Sequence, residues 1–131
     1  MTGLASPQQS SACVLIVDDE EDVRESLRDV VELVGCTALM AASAEEALAL
    51  LASARPCLVV LDLILPGMKG GELLEVMRRE PVLSGLPVLI STSAPERAPR
   101  GVPLLSKPID VDALCGWMRS ACHCAPAVHL P

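Results

Sequence analysis

Residues 13–22 read CVLIVDDEED, five apolar residues running directly into five consecutive acids. A strand with one wet face alternates apolar and polar positions, whereas a strand covered on both faces is apolar throughout. Cys13–Val17 is of the second kind, and its abrupt change to acid marks the point where a buried strand empties into a polar loop. The pattern recurs. CLVVL at 57–61 stops at Asp62, and LPVLI at 86–90, behind Gly85, delivers Ser91, Thr92 and Ser93. A shorter run, Val102–Leu105, delivers Lys107-Pro108, and Thr37–Ala41 is a fifth strand candidate.

Helical patterns fill the intervals. Val23, Leu27, Val30, Val31 and Val34 form one apolar stripe, with Arg24, Glu25, Arg28, Asp29 and Glu32 opposite and Gly35 as a left-handed cap. Ser43 and Glu46 have capping-box spacing and open a second helix with Ala47, Leu48 and Leu51 inward. A third helix spans roughly 71–79, with Leu73, Leu74 and Met77 on one side. A last one starts near Asp110 and turns Leu114, Trp117, Met118 and Ala121 inward. Strands apolar on both faces, alternating with helices, predict an α/β fold: a doubly wound, five-stranded parallel sheet.

Composition narrows the function. The 131 residues amount to one domain, and 51% hydrophobic content suffices for a core. That core must be aliphatic, because Trp117 is the only aromatic residue. A formal charge of −7 has the wrong sign for a phosphate backbone, which argues against direct nucleic-acid binding. No apolar run reaches the ~18 residues of a membrane span. The opening MTGLASPQQSSA has no targeting character, so residues 1–12 read as a loose tail and the expected location is the cytoplasm. In a reducing compartment Cys13, Cys36, Cys57 and Cys115 are expected to act as small buried hydrophobes. Cys122-His123-Cys124 and His129 match no standard zinc spacing, and residues 123–131 read as a C-terminal tail with exposed thiols.

In a doubly wound sheet, ligands bind beyond the carboxyl ends of the strands. The residues there are Asp18, Asp19, Asp62, Thr92 and Lys107. Singly, each is ordinary: an acid after a strand caps a helix, and a lone Thr or Lys is solvated. Together they form a complementary set. Three converging carboxylates repel one another more than one lysine can offset, and a hard divalent cation such as Mg2+ suits them better than a thiolate-seeking metal. A carboxylate nucleophile, metal ligands, a hydroxyl and a cation are what phosphoryl transfer requires.

The segments VLIVDDEEDVRESL, VVLDLILPGMKGGELL, VLISTSA and LLSKPIDVDAL resemble the receiver domain of two-component response regulators, of the single-domain chemotaxis type, over about residues 13–122. The double acid, D-x-x-x-P-x-x-x-G and K-P occur in the family's order. The resemblance implies a flavodoxin-like fold with Asp62 as phospho-acceptor, Asp19 as a direct Mg2+ ligand and Asp18 as a ligand through water. It further implies the Ile64 main-chain carbonyl as a Mg2+ ligand, with Thr92 and Lys107 on the phosphoryl oxygens. The implied partners are a sensor histidine kinase or phosphotransfer protein, docking near the acidic rim and first helix, and a downstream protein in trans. Homodimerisation stays open. Such a domain catalyses its own phosphorylation and is otherwise no enzyme.

The sequence departs from the family after Thr92. Only SAPERAPRGVPLLS separates Thr92 from Lys107, and Pro95, Pro99 and Pro103 interrupt it every fourth residue. An interior proline costs a helix ~3 kcal/mol or more, so the family's fourth helix is predicted to be missing or replaced by a loop, with at most one turn near Pro95–Ala98. Leu104 stands where the family usually has an aromatic switch residue. Apolar Ile64 and Ala94 flank the phosphoryl position and predict slow self-dephosphorylation, while Lys69 reads as a solvated loop residue. Two readings compete with the phosphorylated receiver. One is a pseudo-receiver serving as a phosphorylation-independent docking module. The other, an aspartyl-phosphate phosphatase, needs an acid two residues after its nucleophile, where this chain has Ile64.

Overall fold

A computed structural model describes residues 13–122; both predicted tails, with His123, Cys124 and His129, lie outside the described residues. The chain alternates β1 (Cys13–Val17), α1 (Glu21–Leu33), β2 (Thr37–Ala41), α2 (Ala44–Leu51), β3 (Leu58–Asp62), α3 (Gly70–Arg79), β4 (Val88–Thr92), β5 (Leu104–Ser106) and α4 (Val111–Ala121). All five strands are parallel, in the order β2-β1-β3-β4-β5. The chain leaves β1 for β2 on one side and later returns to β3 on the other. The carboxyl ends of β1 and β3 therefore flank the topological switch point, where such sheets bind ligands.

Period-two alternation divides the core into two aliphatic layers. Leu15, Val17, Val59 and Leu61 pack with Leu51 of α2 and Leu73 and Met77 of α3. Val14, Ile16, Leu58 and Val60 pack on the opposite face with Leu27 and Val31 of α1 and Leu114 and Met118 of α4. Burying a side chain of this size contributes about 1.5–3 kcal/mol, so these layers, not the short strands' hydrogen bonds, hold the sheet. Trp117 departs from the sequence expectation and is 38% exposed. Leu114 and Met118, one turn apart, fill the space beneath α4, and an indole at the margin of that stripe has no close-packed room beneath the helix.

Prolines trim two strands relative to the sequence reading. Pro87 lacks an N–H to donate, so β4 begins at Val88, and Pro87 contributes only its carbonyl, accepting the Val59 N–H at 3.0 Å. Pro103 likewise accepts from Ile90 at 2.9 Å just before β5. The Ser43 cap forms as expected, its hydroxyl accepting the Glu46 N–H at 3.1 Å, while the Glu46 carboxylate reaches back to the Ala42 N–H at 2.8 Å.

The family's fourth helix is absent. A single 3-10 turn at Pro95–Arg97 stands in its place, and the remaining segment to β5 is irregular. A groove of about 160 Å³ opens between α3 and this segment, lined by Leu74, Met77, Leu86 and Val102 among others.

The cysteines correct the sequence reading. Cys57 and Cys122 form a disulfide with Cα atoms 5.2 Å apart, and Cys36 is also disulfide-bonded, whereas Cys13 and Cys115 keep free thiols. The topology supplies the reason. Parallel strands all begin at one pole, and α4, antiparallel to them, ends at that same pole. Residues 65 apart in sequence thereby become neighbours.

Candidate phosphoryl-acceptor site

Asp18 continues β1 by one residue, its N–H donating to Ala41 of β2 at 3.1 Å, while Asp62 is the last residue of β3. Both are carried by buried strands and are themselves buried, at 2% and 5% exposure. Lys107 bridges them. Its Nζ donates to Asp18 Oδ2 at 2.7 Å and to Asp62 Oδ2 at 3.1 Å, and it lies 3.9 Å from Glu20 Oε1. Main-chain amides hold the other two oxygens. Glu20 N–H donates to Asp18 Oδ1 at 2.9 Å, and Ile64 N–H to Asp62 Oδ1 at 3.1 Å.

Asp19 is exposed, yet carboxylate oxygens of Asp18, Asp19 and Asp62 all lie within 4.8 Å of one another. Burial pushes the Asp62 carboxyl above its ordinary 3.8; the Asp18 charge adds to this, and the Ile64 amide and Lys107 only partly counter it. Burial works against the Lys107 charge, but hydrogen bonds and attraction from Asp18 and Asp62 outweigh it and hold its pKa above 10.5. Three crowded carboxylates, with one ammonium between two of them, are an all-oxygen donor set with excess negative charge. The residues fit a hard divalent cation.

Thr92 ends β4, fully buried, and its hydroxyl oxygen accepts the Ala94 N–H at 3.0 Å. Its carbonyl accepts the Lys107 N–H at 2.9 Å, so the last ladder bond between β4 and β5 sets the height at which the lysine leaves the sheet. Asp62 pairs in register with Ser91, which puts Thr92 one residue beyond the level of Asp62. Ser91 Oγ is buried without a hydrogen-bond partner. The Ile64 side chain is 44% exposed; its backbone N–H is the part in contact with Asp62. Of the residues singled out from sequence, Asp18, Asp62 and Lys107 thus touch directly, Asp19 completes the acid cluster, and Thr92 and Ile64 flank it.

One residue of the site escaped the sequence reading, and another that it quoted only as part of a motif acquires a physical role. Arg24, assigned there to the polar face of the first helix, reaches back from α1 to donate to the Asp18 carbonyl oxygen at 2.8 Å, clamping the acid turn. An arginine one turn into a helix that follows an acid run was the available signal. Gly70 packs against the β3 end so closely that a Cβ there would collide with the Asp62 carbonyl oxygen. Its place in D-x-x-x-P-x-x-x-G is therefore a steric requirement of the end of β3.

A five-stranded doubly wound sheet with an acid cluster and a lysine at its switch point is the architecture of a class of α/β signalling domains. The family model described as response regulator receiver domain matches residues 14–116. The chain belongs to that family, whose members work in two-component signalling. Among relatives, it is 35% identical to the response regulator MprA of Mycolicibacterium vanbaalenii over 82% of this chain and 48% of that one. It is 33% identical to an uncharacterized 14.6 kDa protein of Leptolyngbya boryana over 86% of this chain and 92% of that one. The chemotaxis protein CheY4 of Vibrio cholerae superposes with a TM-score of 0.75 at 27% identity, covering 85% of this chain and 98% of that structure. The chain spans about half or less of the length of the curated regulators it matches.

Proposed function

We propose that this domain accepts a phosphoryl group on Asp62 from a histidine kinase or phosphotransfer protein and passes the signal to a partner protein. The observation that carries this reading is the Lys107 bridge between the buried Asp18 and Asp62 carboxylates, with Asp19 alongside. A carboxylate raised in basicity by burial and held by one amide is a positioned nucleophile. One Asp62 oxygen forms the new bond to phosphorus as the bond to the donor imidazole breaks, leaving an aspartyl phosphate and a neutral histidine. Lys107 is placed to follow the charge that gathers on the transferred oxygens, and the Thr92 hydroxyl, whose oxygen accepts from Ala94, keeps its O–H free to donate to a phosphoryl oxygen. Asp18, Asp19, Asp62 and the Ile64 carbonyl would hold Mg2+, which when bound offsets the negative charge of acceptor and donor.

An apolar groove of about 310 Å³ runs between α1 and the start of α4 beside the site, lined by Val23, Leu27, Val30, Ile109 and Val111, with Lys107 at one end. It suits a helical partner presenting its histidine to Asp62. No helix among the described residues is long and apolar enough to cross a membrane, and a cytoplasmic setting accords with such a partner. The test is incubation with a small phosphodonor and Mg2+, read by intact mass. A single acid-labile phosphoryl increment, lost in Asp62→Asn, supports the reading.

A second reading rests on one observation, the 3-10 turn where the family's fourth helix would be. It makes this a docking module that works unphosphorylated. Absence of any phosphoryl increment, with partner binding unchanged in Asp62→Asn, would select it.

A further inference from the structure

The pole opposite the acid cluster holds chemistry that phosphoryl transfer does not use. Cys57 immediately precedes β3 and Cys122 caps the carboxyl end of α4, and the bond between them fastens the last turn of that helix to the base of a central strand. The two residues differ in exposure. Cys122 is 3% exposed, whereas Cys57 is half-buried, so Cys57 is the more accessible member of the pair. The reduced state is also provided for, since Cys57 Sγ lies 3.1 Å from the Cys13 carbonyl oxygen, an acceptor ready for its S–H. Cys13 itself is a poor competitor, because burial pushes its thiol pKa up and disfavours the reactive thiolate.

The geometry points to Cys57–Cys122 as a reversible thiol–disulfide modification site that fastens and releases the carboxyl end of α4. Oxidation takes a low-molecular-weight disulfide such as oxidised glutathione. The Cys57 thiolate attacks one glutathione sulfur and expels one glutathione thiolate, leaving a mixed disulfide. The Cys122 thiolate then attacks the Cys57 sulfur and expels the second. Two protein thiols are oxidised, one glutathione disulfide is reduced to two glutathione thiols, and two protons pass to solvent or to the released thiolates. A dithiol reverses the sequence, starting at the Cys57 sulfur.

Closing the bond joins residues 57 and 122, a loop that contains β3, α3, β4, β5 and α4. Constraint of the unfolded chain by a loop of this size is a large stabilising effect. Trp117, one turn before the end of α4 and the sole aromatic residue, makes the protein its own reporter.

The test poises the full chain in glutathione buffers from reducing to oxidising, traps free thiols, and assigns the pair by peptide mapping, because Cys36 is disulfide-bonded as well. The expected result is complete and reversible interconversion of the 57–122 pair while the far-ultraviolet dichroism stays folded. Trp117 emission should shift with it, and that shift should be missing in Cys57→Ser/Cys122→Ser and retained in Cys115→Ser. Oxidised wild type should melt about 10 °C above the double variant. Two results would overturn the proposal: free thiols at both positions in oxidising buffer, or a bond that dithiols open only once the protein unfolds. Because none of these readouts involves Asp62 phosphorylation, failure here leaves the phosphoryl reading standing, and the reverse holds too.

Discussion

The ends of β1, β3 and β5 and the segment between β4 and β5 lie side by side, yet they are built to different tolerances. At the strand ends the buried charges have fixed partners: two amides on the Asp18 and Asp62 carboxylates, one ammonium between them, and an arginine on the Asp18 carbonyl. Between Thr92 and Leu104 the chain makes one 3-10 turn and little else. The proposed chemistry on phosphorus requires closely positioned groups, and strands and backbone donors hold the acid pole in that way. The segment with three prolines, where a helix is replaced by an irregular chain, shares none of those hydrogen bonds, so its shape can change without disturbing the acid cluster.

Asp62→Asn gives the sharpest break of the comparison, since the acid-labile phosphoryl increment should vanish entirely by intact mass while the fold persists by circular dichroism. Lys107→Ala should slow phosphorylation by a small donor about 100-fold or more, the usual consequence of removing one preorganised charge donor. The same substitution frees both Oδ2 atoms, so titration calorimetry should find Mg2+ bound more tightly than in wild type; weaker binding would mean that the lysine does not compete with the cation. Gly70→Ala should lower stability by several kcal/mol in denaturant titration, because the new methyl group collides with the Asp62 carbonyl.

A pH experiment examines the acceptor itself. The folded pKa of Asp62 is raised, so its contribution to stability is present below about 3.8 and is lost as pH rises through the folded value. In metal-free buffer Asp62→Asn should therefore melt a few degrees above wild type at neutral pH, with the difference disappearing as the buffer is acidified below the carboxylate range. Equal melting temperatures at neutral pH would show the ionised carboxylate to be fully compensated by its partners. Smallest of all, Pro99→Ala in the irregular segment should shift stability by less than about 0.5 kcal/mol and the phosphorylation rate less than twofold. A larger effect on the rate would join the two regions that the structure separates.

How much of this was legible beforehand follows from which interactions are local. The apolar runs before Asp18 and Asp62 identified buried parallel strands because burial on both faces leaves no other pattern, and the prolines at 95, 99 and 103 excluded a helix because ring sterics act within one turn. The same locality explains the errors at strand starts. Pro87 and Pro103 are apolar and joined the runs by hydropathy, but an amide nitrogen without hydrogen cannot enter a ladder. Trp117 was misplaced because periodicity gives the direction of a side chain and not the space beneath it.

By itself the sequence determined the order of elements, the aliphatic character of both core layers, and the set of polar residues left at strand ends, since each depends on neighbours within a few positions. Tertiary structure alone decided which residues meet. It set Lys107 between two acids 89 and 45 positions away, brought Arg24 back onto the Asp18 carbonyl, and pressed Gly70 against the end of β3. It also gathered the starts of the strands and the end of α4 at one pole, where Cys57 and Cys122 join. Pairings across such separations are set by sheet order and handedness, which no local pattern encodes.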